Sequence, residues 1–196
     1  MRVTLIRHGK TQGNLEHRYI GATDEPLVSG YHSVEPPYIS DDAGIYSSPM
    51  KRCLETCDLL FPDREPVVVD DLREMDFGVF ERRSGDEMAD DPEYTEWVNG
   101  GCRDRCPGGE HPSDFYVRTC NAFEEIVRSD DKDKYIVTHG GVITAVMSRF
   151  FAGEDHMVFS RGWMIPNFTA IEAEVDYTNS NINILNYKKV LFEDGK

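Results

Sequence analysis

No apolar run in this chain approaches the roughly 20 residues needed to cross a bilayer. Met1 leads straight into the strand-like Val3-Thr4-Leu5-Ile6 with no cleavable leader, so a soluble, cytoplasmic protein is expected. Positive charge is scarce. Lys and Arg number 21 against 36 Asp and Glu, a formal charge of -15. That balance argues against nucleic acid or an anionic membrane as partner, because binding a polyanion relies on clustered cations that release counterions. Any anionic substrate must instead meet a local positive pocket. Neither GxGxxG nor GxxxxGK followed by Ser or Thr occurs, so dinucleotide binding and P-loop chemistry lack their phosphate-cradling glycines. GxSxG is also missing, which leaves Thr138-His139-Gly140-Gly141 without the nucleophile elbow of a lipase. Cysteine is sparse and odd in number: Cys53, Cys57, Cys102, Cys106 and Cys120 read as reduced thiols. Their CxxxC spacings are wider than usual for structural zinc, no His stands in register, and one pair falls inside an expected helix, so no metal is expected.

What the chain does contain is ample core material, with 39% hydrophobic residues including 10 Phe and 9 Tyr, enough for one domain over residues 1–196. Apolar runs alternate with helical periods, which predicts an α/β fold with a mostly parallel central sheet between helical layers. Strands are expected at Val3–Ile6, Gly44–Tyr46, Pro66–Asp70 and Lys134–Thr138, and a final pair at Phe168–Val175 and Ile182–Val190 joined across Asn179-Ser180-Asn181. Helices are expected after Pro49, with Met50, Cys53, Leu54, Cys57 and Leu60 on one face, and after Ser113 as cap, with Phe115, Cys120, Phe123, Ile126 and Val127 inward. A further apolar helix spans Val142 to Phe151. The polar stretch from about 75 to 110 predicts a lid with a short helix near Trp97.

Open α/β sheets bind ligands beyond the carboxyl ends of their strands. Four such ends carry polar candidates: Arg7 with His8, the Ser47 turn leading to Arg52, the loop holding Glu74, and His139. Two histidines, two arginines and a carboxylate together describe a pocket for a phosphate and for proton transfer to its leaving oxygen. Each alone has a plainer reading, as a satisfied strand-end histidine or a solvated surface charge.

The segment Arg7-His8-Gly9-Lys10-Thr11-Gln12-Gly13-Asn14, directly after the first strand, resembles the histidine phosphatase superfamily, which includes the cofactor-dependent phosphoglycerate mutases. Gly21-Ala22-Thr23-Asp24-Glu25-Pro26-Leu27, Ser47-Ser48-Pro49-Met50-Lys51-Arg52, Leu72-Arg73-Glu74 with Gly78 and Glu81, Pro107-Gly108-Gly109-Glu110 and Thr138-His139-Gly140-Gly141 extend it in the family's order. A lone RHG arises by chance; the ordered set does not. The resemblance implies a phosphoglycerate mutase-like three-layer fold and His8 as nucleophile, oriented by the Gly9 carbonyl. Neutral imidazole near pH 7 can form a phosphoramidate and split one slow hydrolysis into two displacements. Arg7, Arg52 and His139 would hold the phosphoryl oxygens, planar guanidinium groups being suited to paired hydrogen bonds. Asn14 would be a neutral donor, and Gly21 and Gly140 would line the substrate site. Glu74 matches the position of the acid that protonates the leaving oxygen, with Asp76 and Glu81 as nearby rivals.

The expected reaction is hydrolysis of a small-molecule phosphate ester, without cofactor or metal. Local departures favour water over phosphoryl return to substrate. Ile20-Gly21 replaces a hydroxyl residue before glycine, Phe77 stands where mutases carry Tyr, and Gly141 stands where they carry Asn. After Glu81 only Arg82-Arg83 offers the adjacent cations that would grip a carboxylate. Met75-Asp76-Phe77-Gly78-Val79-Phe80-Glu81 looks like the branch that includes α-ribazole phosphatases. A phosphoglycerate mutase and a non-catalytic phosphate-binding module are the alternatives. Lys10 stands where Glu is commoner, and Gly30, Pro36 and Pro37 predict an irregular segment where the family has a helix. Arg18, Tyr19, Arg103 and Arg105 either line the entrance or decorate the surface, and a homodimer is left open.

Overall fold

The fold is organised by β1 (Arg2–Arg7), whose residues 3 to 6 are buried on both faces of a sheet. The computed structural model describes residues 1–30, 39–178 and 181–192. β1 pairs in parallel with β4 (Lys134–Thr138), which pairs in parallel with β2 (Gly44–Ser47), which in turn meets β3 (Val67–Val68) at one edge. On its other side β1 runs antiparallel to β5 (Thr169–Tyr177), and the antiparallel β6 (Ile182–Leu191) closes that edge. The order is β3-β2-β4-β1-β5-β6. Near-continuous apolar runs in β1 and β4 follow from burial on two faces, as parallel sheets require.

Two apolar clusters make the three layers. Ile6, Ile45 and Val137 pack beneath α2 (Lys51–Leu60) through Cys53, Cys57 and Leu60. Val3, Leu5 and Ile136 face α4 (Pro112–Arg128) and α5 (Gly140–Phe150). Every residue of α5 except Arg149 is buried, so this helix is an inner layer and starts two residues earlier than its apolar run predicts. Gly140 and Gly141 are thereby its first turn. A four-residue helix, α1 (Gln12–Leu15), follows β1, capped by Thr11 and Asn14 in a reciprocal box.

Several sequence expectations are corrected. Ser113 is not the cap of α4: His111 is, its ring accepting from the Ser113 N–H, with Pro112 at the first helical position where its missing donor costs nothing. The third strand has two residues instead of five. Both are exposed at the sheet edge, Pro66 supplies no donor, and the chain turns into a 3-10 segment at Asp70. Phe168 is not in β5. It takes a positive φ of 57° and its N–H reaches the carbonyls of Arg7 and His8, each at 3.1 Å. The expected break at Gly30, Pro36 and Pro37 lies outside the described residues except for Gly30, whose φ of 114° suits glycine. Residues 179 and 180 of the final turn are likewise not described.

The 75–110 stretch, polar in composition, hides an aromatic cluster. It contains two short 3-10 turns and α3 (Pro92–Asn99). Tyr19, Phe77, Phe80, Tyr94 and Trp97 meet mostly edge to face, with centroids 5.1 to 6.4 Å apart. Arg18 binds Glu87 through both terminal nitrogens at 2.7 and 2.8 Å and fastens the segment to the chain after α1.

Candidate active site

β1 ends by burying His8 against β4: its N–H reaches the Thr138 carbonyl at 3.0 Å, and the side chain is 4% exposed. Nδ1 lies 2.6 Å from the Gly9 carbonyl. Burial first, and then the nearby Arg52 and Arg7 charges, hold the His8 pKa well below the ordinary histidine value. A neutral ring that donates to Gly9 carries its proton on Nδ1, which leaves the Nε2 lone pair available. Gly9 is itself fixed, because its N–H donates to Thr56 Oγ1 at 3.0 Å.

His139, 1% exposed, stands with its ring centroid 5.1 Å from that of His8. Its pKa is also far below the ordinary value, through burial and then Arg52, His8 and Arg7. Arg52 Nε donates to His139 Nδ1 at 3.3 Å, so the neutral His139 proton sits on Nε2 and points to Ser48 Oγ at 2.8 Å. The structure therefore brings His139 to His8 but commits both its nitrogens to protein partners.

Both histidines should stay neutral as pH falls from 7.5 to 5.5, a prediction for NMR of ring-labelled protein. In the unfolded chain they take up protons near pH 6.5. Their folded pKa is depressed, so the unfolded state binds more protons and stability falls as pH drops below 6.5, by up to about 1.4 kcal/mol per pH unit for each ring. His8→Gln should lower that slope by about one histidine's share in urea titrations at pH 5.5 and 6.5; an unaltered slope would contradict a neutral His8.

Arg52, fully buried at the start of α2, donates to the carbonyls of Thr23 at 2.8 Å and Gly21 at 2.9 Å. With His139 this uses three of its five N–H groups and leaves two. Arg7 donates from Nη1 to the Ile165 carbonyl at 2.6 Å, whereas its buried Nε has no acceptor among the described residues. Burial opposes the Arg7 charge, Glu74 supports it and Arg52 works against it. Neither guanidinium forms an ion pair among the described residues.

Glu74 sits at the first turn of α5: Oε2 accepts from the Gly141 N–H at 3.0 Å and Oε1 from the Met75 N–H at 3.0 Å. A Cβ at residue 141 would strike Oε1, so glycine there is what admits the carboxylate. Arg118 of α4 holds the loop from behind. It donates to the carbonyls of Asp71, Arg73 and Glu74 and pairs with Glu110 at 2.7 and 2.8 Å. The rival acids also accept from backbone amides. Asp76 accepts from the Gly78 N–H, and Glu81 accepts from the N–H groups of Gly21, Ala22, Thr23 and Phe77.

The remaining sequence candidates divide. Asn14 Oδ1 accepts from the Thr11 N–H and from Asn167 Nδ2, each at 3.1 Å, which turns its amide nitrogen to the other side. Gly21 uses its N–H on Glu81 and its carbonyl on Arg52, so it carries the Arg52 support and does not offer its backbone to a substrate. A Cβ there would collide with the Met75 carbonyl and lie 2.7 Å from Glu81 Oε1. Gly21→Ala should displace the 21–23 loop and lower kcat/KM by about 10- to 100-fold, with a stability loss of about 1 to 3 kcal/mol; wild-type steady-state kinetics would refute the support role. A Cβ at Gly140 would meet Met164 Sδ and come within 3.4 Å of Arg7 Cζ. Asn167, which sequence reasoning missed, donates to the carbonyls of His8 and Gly9 at 3.2 and 3.4 Å. Its only signal was position, a polar residue just before a strand that borders β1.

Three openings among the described residues border this centre, one of them a cleft of about 380 Å³ with Glu74, Arg73, Asp76, Glu110 and Arg118 on its lining. An open cleft of about 640 Å³ is lined by Arg7, Lys10, Asn14, His17, Arg18 and Asn167, among others. A cavity of about 210 Å³ adjoins Glu74 and Gly141 and is walled by aromatic and Met side chains. Tyr19 lines the last two. Arg103 lines a neighbouring cleft, while Arg105 pairs loosely with Asp114 on the surface. Among the described residues no three His, Cys, Asp or Glu side chains form a ligand set for a metal ion, and no helix is long and apolar enough to cross a membrane.

Residues 3–188 match the family model described as "Histidine phosphatase superfamily (branch 1)". "Probable phosphoglycerate mutase GpmB" of an Enterobacter species is 29% identical over 165 residues, covering 76% of this chain and 74% of that protein. Among solved structures, a phosphoglycerate mutase from Thermus thermophilus superposes with a TM-score of 0.70 at 26% identity, covering 98% of this chain and 100% of that one. The α-ribazole phosphatase from Shigella flexneri superposes with a TM-score of 0.75 at 23% identity, covering 99% and 97%, a likeness of fold.

Proposed function

Because this chain belongs to the histidine phosphatase superfamily, we propose that it hydrolyses a small-molecule phosphomonoester through a phosphohistidine formed on His8 Nε2. The observation that carries this reading is the electrostatic arrangement. In a chain of charge -15, a buried guanidinium group, Arg52, and a partly buried one, Arg7, flank one neutral imidazole, and among the described residues they have no carboxylate partner and the buried Arg7 Nε–H has no acceptor. Leaving such a donor unsatisfied costs about 1 to 3 kcal/mol. A phosphoryl oxygen answers it.

In the first displacement the Nε2 lone pair attacks phosphorus, the P–O ester bond breaks, and Glu74 gives a proton to the departing oxygen. In the second, Glu74 takes a proton from water as its oxygen attacks phosphorus and the P–N bond breaks, returning His8 neutral. Arg7 and the two unused N–H groups of Arg52 match the charge spread over the equatorial oxygens. The reading requires no metal, since these cations supply the field.

Chelator-treated protein should release inorganic phosphate from simple phosphomonoesters. An alkaline, denaturing quench during turnover should trap a base-stable phosphoenzyme that acid then hydrolyses. Absence of both would leave a phosphate-binding module. The mutase reading draws on the names of two relatives, and isomerisation of 3-phosphoglycerate with its bisphosphate cofactor outrunning hydrolysis would establish it.

A further inference from the structure

We propose that the alcohol released by this enzyme carries an uncharged aromatic or comparably flat apolar group close to its ester oxygen. This rests on the phosphohistidine reading and adds the substrate class. With the phosphoryl group held between His8, Arg7 and Arg52, the ester oxygen must face Glu74 to receive its proton. Glu74 borders two spaces, a polar cleft of about 380 Å³ with Arg73 and Arg118 and the cavity of about 210 Å³; we place the carbon beyond that oxygen in the second, whose Met164 packs over Gly140 beside Arg7.

The walls of that cavity present carbon and sulfur. Tyr19, Phe77, Trp97, Met157, Phe159 and Met164 contribute most of them. The polar atoms of the two amphipathic rings point into the protein, Tyr19 Oη to Tyr94 Oη at 3.0 Å and Trp97 Nε1 to the Asp104 carbonyl at 2.9 Å. Among the described residues, Glu74 is the one charged side chain on the lining. A carboxylate or second phosphate on the leaving group would lie beside that acid, among apolar walls and without a cation, a costly placement. Size agrees as well, since an apolar cavity of about 150 Å³ holds a benzene ring. Met164 remains 45% exposed and Phe159 42% exposed, so an apolar rim faces solvent at the mouth. Met164 also touches the phosphate cup: its sulfur packs over Gly140, beside Arg7.

The competing placement puts the leaving group in the open cleft with Lys10, His17 and Arg18, which would suit an anionic alcohol. A series of alkyl esters with unactivated leaving groups separates the two. The wild-type protein should hydrolyse 2-phenylethyl phosphate with a kcat/KM about 30- to 100-fold above that of ethyl phosphate, and 3-phosphoglycerate below both. Phe77→Ala and Met164→Ala should each shrink the phenylethyl-to-ethyl ratio by about 3- to 10-fold. Phosphate release that depends on His8 but favours 3-phosphoglycerate or glycerol 3-phosphate over 2-phenylethyl phosphate would overturn the substrate class and leave the phosphohistidine reading intact. An unchanged ratio in both variants would likewise place the alcohol outside this cavity. No turnover of any ester would overturn both readings.

Discussion

Replacing His8 with Ala is expected to lower kcat for any phosphomonoester by at least about 10⁴-fold and to abolish the acid-labile phosphoenzyme. The size of the effect follows from the geometry. Nδ1 is fixed by the Gly9 carbonyl, which leaves the Nε2 lone pair of the neutral ring unused, and the Nε2 proton of His139 is engaged with Ser48. No second nitrogen can take over without breaking a buried hydrogen bond. Phosphate binding should outlast the loss of turnover, because Arg7 keeps its anchor on the Ile165 carbonyl and Arg52 its anchors on Gly21 and Thr23. Calorimetry with inorganic phosphate, beside single-turnover kinetics, checks both halves. Turnover within tenfold of wild type would remove His8 from the chemistry.

Glu74→Gln should lower kcat by about 10²- to 10⁴-fold, the range expected of general acid and base catalysis. The amide oxygen can accept from only one of the Gly141 and Met75 N–H groups, but Arg118 still binds the Glu74 carbonyl, so the loop should hold its place while proton exchange is lost. The two half-reactions should respond unequally. A p-nitrophenyl leaving group departs with little protonation, but water attack on phospho-His8 still lacks its base. Rapid-mixing experiments on the variant should therefore show a burst of nitrophenol equal to the enzyme concentration, followed by slow turnover. A loss smaller than about threefold with no burst would move the acid elsewhere.

Much of this centre was legible in the sequence because it lies where apolar runs stop. The run Val3–Ile6 ends at Arg7 and His8, the run Tyr135–Val137 ends near His139, and the Pro49-Met50 pair after Ser48 announces the helix that buries Arg52. Supporting contacts were not legible, since they depend on which surfaces meet. Arg118 reads as an ordinary mid-helix charge, yet its partners belong to the segment Asp71–Glu74 and to Glu110. Glu81 reads as a motif acid and a rival proton donor, and its hold on the loop at residues 21–23 emerges only once that loop folds over it. The 75–110 segment misleads for a related reason: its polar residues are many and face outward, whereas a few aromatic rings carry its packing. At the edge, β3 was overestimated because a valine run reports burial preference, and this strand has a neighbour on one side only.

The Arg118 anchorage bears on how such an enzyme changes its diet. Glu74 is fastened to α4 through Arg118, while most of the ring-bearing walls of the apolar cavity hang on the separate 75–110 segment and the chain around Met157 to Met164. On the proposed chemistry, mutations that reshape those walls would select a different alcohol without retuning the proton transfer by Glu74, leaving lineages that share this centre free to diverge in substrate while inheriting one way of acting on it.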